Sequence, residues 1–215
     1  SRNSVKIEER LAALEKATAL TTDQAIITPA RLLVEALASI LKPLHQAIAR
    51  LDKEIERAMD QHPDAAIFRS LPAAGSALAP RLLVAFGTNR DRFENAGEVA
   101  QFYGLAPVVI QSGNSKTVHK RYRCPKFGRQ TFHENAGCVA KVEPWARCYY
   151  VQQKQRHDDK HHQACRALAF KLIRIYFACW KHRTIYDADI YLRALEKQGS
   201  PLHKRVQIPT PTHGE

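Results

Sequence analysis

Apolar residues recur in alternating three- and four-residue steps from Leu33 to Ile55: Leu33, Leu37, Ile40, Leu44, Ala47, Leu51 and Ile55. That spacing keeps one apolar stripe on one side of a helix, the seam of a coiled coil. Thr28 offers an N-cap and Pro29 suits the first helical position, so a helix is predicted from there to about Met59. Pro43 inside it removes one helical hydrogen bond and predicts a kink. A shorter helix over residues 4–19 comes first, with Ile7, Leu11 and Leu14 on one face, and Thr21-Thr22-Asp23 breaks it. The seam has two readings: a helical hairpin packed on its own domain, or a dimer contact.

Beyond Gln61-His62-Pro63 the pattern changes to shorter elements. Residues 64–87 read as helix, turn and helix around Leu71-Pro72-Ala73-Ala74-Gly75. This is similar to a helix-hairpin-helix, a motif whose glycine-rich turn aims backbone N–H groups at a phosphate. Ala73 stands where the first glycine usually is, so a tight packed turn is the other reading. Residues 91–104 predict a helix with Asn95 as N-cap and Gly104 at its end. Another begins near Gly128 and carries Phe132, Cys138, Val139 and Val142 inward; Pro144-Trp145 interrupts it, and Tyr149, Tyr150 and Val151 resume it. Gln163 to Lys181 is apolar at Leu168, Leu172, Ile175 and Cys179, which predicts a core helix. Tyr186 to Lys197 gives a last helix, and the Pro-rich run from Gly199 reads as a disordered tail. The expected fold is therefore mainly α. A helical coiled-coil arm (1–62) precedes a compact helical domain with the helix-hairpin-helix-like element (63–198) and a tail (199–215).

Charge changes the picture. The chain of 215 residues carries a formal net charge of +12, which favours a polyanionic partner, nucleic acid first. Five cysteines without short pairing fit free thiols in a reducing compartment. No signal peptide and no long apolar run is read, so a soluble protein without a membrane partner is expected. His157, His161 and Cys165 fall at helical spacing that can bind zinc, but no Cys-x-x-Cys accompanies them. A solvated helix start is the stronger reading, and no metal is expected on this chain.

The stretch Leu105–Arg129 concentrates the candidate chemistry. A β-branched run, Val108-Val109-Ile110, leads to Ser112-Gly113. Lys116, Lys120, Arg121, Arg123, Lys126 and Arg129 come next with no Asp or Glu among them. A hydroxyl beside a glycine, then dense positive charge, suits chemistry on a phosphodiester. The alternative is an ordinary loop with a solvated charged face.

Taken in order, LPAAGSALAPRLLVAFG, DRFENAGEVAQFYGLAPVVIQSG, the basic stretch ending in KFGR, and HHQACRALAFKLIRIYFACWKHRTIYD carry a family resemblance. They resemble the C-terminal transposase domain of the insertion sequence 110 family, the bridge-RNA-guided DNA recombinases, over about residues 64–188. The resemblance implies a mostly helical transposase domain that follows an RNase-H-like domain with four metal-binding acidic residues and a coiled coil. It implies Ser112 as the nucleophile, forming a covalent phosphoserine link to DNA, with the cations from Lys116 to Arg129 on the DNA or guide-RNA backbone. It also implies Mg²⁺ in the acidic domain, none in this chain, and a bacterial cytoplasmic, nucleoid-associated protein; the Leu33–Ile55 seam adds the expectation of a homo-oligomer through the coiled coil. The chain begins at Ser1 and no acidic domain precedes it, so it is expected to be a fragment that is inactive alone. The competing expectations are a non-catalytic helix-hairpin-helix module binding DNA or RNA, and a coiled-coil dimerisation domain.

Overall fold

The structure, a computed structural model, describes residues 2–18, 20–119 and 121–202. Among these it has nine helices and one two-stranded hairpin, so the fold is mainly α. The chain divides into two compact units, Ser1–Asp52 and Lys53–Glu215.

The first unit holds α1 (Arg2–Glu15) and most of α2 (Gln24–Asp60), whose last turns from Lys53 on belong to the second. The long helix starts earlier than Thr28 because Asp23 caps it: its Oδ1 accepts from Ala25 N at 2.9 Å, and Thr21 Oγ1 accepts from Asp23 N at 3.1 Å. The threonines and aspartate read as a breaker therefore also supply the start signal. Pro29 and Pro43 both lie inside α2, which is continuous through them. Leu33, Leu37, Ile40, Leu44, Leu51 and Ile55 are each at least 47% exposed, so the seam is not buried within the described chain. By length and composition alone α2 is apolar enough to cross a membrane, where no such run was expected.

The second unit is built around α8 (His161–His182), which packs against α5 (Ala96–Phe102), α6 (Lys126–Val142) and α7 (Pro144–Arg156). Leu168, Leu172, Ile173, Tyr176 and Trp180 are 1% exposed or less. Helices on several sides bury more of α8 than the single face its apolar spacing outlined; Ile173 and Trp180 lie off that face. Phe86 of α4 (Gly75–Phe86) is a second centre, with ring centroids 5.8 Å from Phe68, 5.7 Å from Phe132 and 5.4 Å from Trp180. Each such ring contributes roughly 1.5–3 kcal/mol by burial. In α6, Phe132 and Val139 are buried as expected, but Cys138 and Val142 are exposed. Cys124, Cys138, Cys165 and Cys179 are free thiols, and burial pushes those of Cys165 and Cys179 up.

The turn between α3 (Ala65–Ser70) and α4 is tied to the core from inside. Asn135 Nδ2 donates to Pro72 O at 3.1 Å, and Tyr176 Oη donates to Asn135 Oδ1 at 2.7 Å. Ala73 takes φ +53°. That left-handed conformation costs an alanine about 1 kcal/mol relative to glycine. The last helix, α9 (Ala188–Lys197), is capped by Asp187 Oδ1 accepting from Asp189 N at 2.8 Å. Of the segment expected as a tail, residues 203–215 lie outside the described residues, and Leu202 is buried at 5% exposure.

Candidate active site

The stretch that leads to Ser112 is anchored at both ends of α5. Asn95 Oδ1 accepts from Glu98 N at 3.1 Å, as its sequence position implied. At the far end Gly104 has φ +64°, Gly104 N donates to Gln101 O at 3.0 Å, and Leu105 N donates to Ala100 O at 2.8 Å. This pair of bonds is a Schellman cap, which needs a residue at ease with positive φ and buries the next apolar one; Leu105 is 3% exposed. The Gly-Leu-Ala sequence is thus a helix stop that launches the chain toward Ser112.

Beyond this stop the chain forms a hairpin rather than a loop. Strand β1 (Val108–Ser112) pairs antiparallel with β2 (Ser115–His119), and Ser112 lies opposite Ser115. Val108, Val109 and Ile110 favour a strand, and Gly113-Asn114 forms a two-residue turn. Gly113 takes φ +56° and Asn114 does not share it, as a turn with glycine first requires. Side chains alternate across a strand, so Ser112, Ser115, Thr117 and His119 share one face. Ser112 is exposed at the tip, and a Cβ added at Gly113 would meet nothing within 4 Å. The Ser112 side chain is open to solvent.

Arg121 and Arg123 stand exposed between the hairpin and α6, and Lys126 stands exposed in the first turn of α6. Arg129 is half-buried, with Nη1 3.5 Å from Cys124 Sγ. Lys120 and the side chain of Lys116 lie outside the described residues. The cations are interleaved with two aromatics that the sequence reading passed over: Tyr122 is 80% exposed and Phe127 51%. Exposed rings alternating with cations are the detectable signal, since bases stack on such rings. The Arg81 guanidinium lies 5.5 Å from the Phe127 ring centroid and is itself paired to Glu134 at 2.6 Å.

Two long-range contacts fix the hairpin root. Arg166 donates to the carbonyls of Gly104 at 3.0 Å, Leu105 at 3.3 Å and Ala106 at 3.5 Å. Its cation therefore holds backbone, and burial lowers its pKa. Gly128 lets α6 approach Tyr103, whose hydroxyl donates to Ala85 O at 2.5 Å.

The histidines at the start of α8 face α7 and α6. His161 Nδ1 is 2.7 Å from Tyr150 Oη, and its Nε2 is 3.6 Å from Cys165 Sγ. His157 is not in this contact. Burial lowers the pKa of His133, whose ring lies 5.4 Å from that of His162. Among the described residues no group of three or more His, Cys, Asp or Glu is placed to hold a metal ion.

Residues 65–151 match the family model described as transposase, IS116/IS110/IS902 family. The 43.6 kDa protein of insertion element IS110 from Streptomyces coelicolor is 30% identical over 175 residues, 77% of this chain and 42% of that protein. The 42 kDa protein of insertion element IS900 from Mycobacterium paratuberculosis is 30% identical over 156 residues, 71% of this chain and 38% of its own length. The chain thus spans less than half the length of these relatives.

Proposed function

Residues 65–151 are a transposase domain of the IS116/IS110/IS902 family, and from that premise we propose that the chain supplies the nucleophile and part of the nucleic-acid interface for DNA transposition. The single observation carrying this reading is the placement of Ser112 at an exposed hairpin tip, followed in the chain by exposed cations. Ser112 Oγ attacks the phosphorus of a DNA phosphodiester. A P–O bond to one deoxyribose breaks, the leaving oxygen takes a proton, and a phosphoserine ester retains the bond energy for rejoining. Arg121, Arg123, Lys126 and Arg129, with Lys116 and Lys120, hold the backbone of DNA and of a guide RNA. The Leu71–Gly75 turn, tied down by Asn135, serves as a helix-hairpin-helix element. Mg²⁺ belongs with an acidic domain of the kind the family carries, not with these residues. The work is expected in a bacterial cytoplasm.

Binding is the first test. With about six phosphates neutralised, log Kobs against log salt falls with a slope near −5. Replacing Arg121, Arg123 and Lys126 together with Ala should flatten the slope by about 2 to 3. An unchanged affinity and slope, measured by fluorescence anisotropy across a salt series, would place the interface elsewhere.

Assembly is the second. The exposed α2 seam motivates a homo-oligomer through a coiled coil, since an apolar stripe of this length is unfavourable in water. Light scattering should give a dimer or larger species, and Leu37→Lys with Leu44→Lys a folded monomer. A wild-type monomer at high concentration rules the idea out.

A further inference from the structure

At the root of the hairpin the fold leaves a cavity of about 400 Å³, lined by the rings of Tyr149 and Phe170 and by His119, His157, Gln163 and Arg166. Arg166 is already committed to the carbonyls of Gly104, Leu105 and Ala106. The side chains of His119, His157 and Gln163 have no hydrogen-bond partner among the described residues. No carboxylate lines the cavity.

We propose that this cavity takes an unpaired nucleobase from the strand whose phosphate is presented to Ser112. The inference rests on the nucleic-acid reading above and names the form of nucleic acid it requires. A base has flat apolar faces and edges of neutral donors and acceptors. Two aromatic walls suit the faces, and an amide with two imidazoles suits the edges. A bare phosphate is poorly served, because the one permanent cation in the lining is engaged elsewhere.

Position connects the cavity to the chemistry. Strand alternation puts His119 on the same hairpin face as Ser112. Four register steps separate their pairs, about 13 Å at roughly 3.3 Å per residue. A strand laid along that face with a phosphate at Ser112 reaches the cavity within a few nucleotides. Arg121 and Arg123, just after His119 in the chain, are exposed for its backbone. A base stacked inside a duplex cannot enter, so the strand must be open at this point.

The test compares four probes of equal charge on the 215-residue chain: single-stranded DNA, single-stranded RNA, duplex DNA, and an abasic deoxyribose-phosphate strand. Both base-bearing single strands should bind about tenfold tighter than the duplex and the abasic strand. A 2-aminopurine in the single strand should lose fluorescence on binding as it stacks. A preference shared by DNA and RNA assigns the contact to the base itself, and a preference for RNA alone overturns the assignment of the cavity to the strand at Ser112. Ala167→Trp fills the cavity from α8 and should remove the preference while leaving duplex affinity unchanged. If that variant melts early, His119→Ala with Gln163→Ala decides, and should level the affinities of four single-base homopolymers. Equal binding of all four probes, or a preference that survives in both variants, overturns the cavity assignment and leaves the cationic interface standing. Failure of every probe to bind overturns the nucleic-acid reading as well.

Discussion

Ser112→Ala is expected to abolish a denaturation-resistant protein–DNA adduct and to change DNA affinity only a few-fold. The adduct is sought with the chain joined to an acidic metal-binding domain of the family type, Mg²⁺ and guide RNA, on denaturing gels with labelled DNA. A free serine hydroxyl is a weak nucleophile and needs a base, a metal or a cationic pocket. Nearby cations are available here, but no metal-holding group is found among the described residues. The unsupplemented chain should therefore form no adduct. Losing one hydroxyl costs about 0.5–1.5 kcal/mol of binding, which sets the few-fold limit. The register makes the control demanding, because Ser115 lies directly across from Ser112 on the same face. Their Cβ atoms are about 5 Å apart in such a pair. Ser115→Ala should keep the adduct. The reverse outcome means the nucleophile is Ser115, and adduct from both variants sinks the serine mechanism for this hairpin.

Local signals made part of this architecture legible. Asn95 and Gly104 bound α5 as read, because an N-cap and a left-handed C-terminal glycine act on backbone groups within a few residues. The hairpin was harder to see: its strands are five residues each, and the run of positive charge that follows it reads equally well as a loop. The early start of α2 was hidden because Asp23 both ends one pattern and caps the next. Contacts across 60 residues or more leave no periodicity. Nothing local shows that Arg166 holds the carbonyls of Gly104, Leu105 and Ala106, or that Asn135 ties down Pro72. The candidate serine was named from its motif, whereas the exposed rings of Tyr122 and Phe127 emerged only with the fold.

Gly128→Ala should lower the stability of the second unit by about 2 kcal/mol, although alanine favours helices. On propensity alone the change would stabilise α6 by about 1 kcal/mol. Packing reverses the sign: a Cβ at Gly128 would lie 2.1 Å from Tyr103 Cε1 and 2.3 Å from Cδ1. The ring cannot step aside easily. Tyr103 is 4% exposed, its hydroxyl is bonded to Ala85 O, and its centroid is 4.9 Å from Phe102 and 5.4 Å from Phe132. Overpacking at so constrained a site costs about 1–3 kcal/mol or somewhat more, enough to exceed the propensity gain. Thermal unfolding followed by circular dichroism should show Tm lower by roughly 4–8 °C. Tyr103→Leu opens the space, so the double variant Tyr103→Leu/Gly128→Ala should lose less than the sum of the two single changes. Gly113→Ala gives the contrast: its surroundings are empty, so only the positive φ is strained and the loss should stay near 1 kcal/mol. Lys126 and Arg129 flank Gly128, so Gly128→Ala should also weaken DNA binding by displacing them. A Gly128→Ala protein as stable as wild type, with unchanged binding, would show that α6 does not rest on Tyr103 and that this contact does not set the position of the basic stretch.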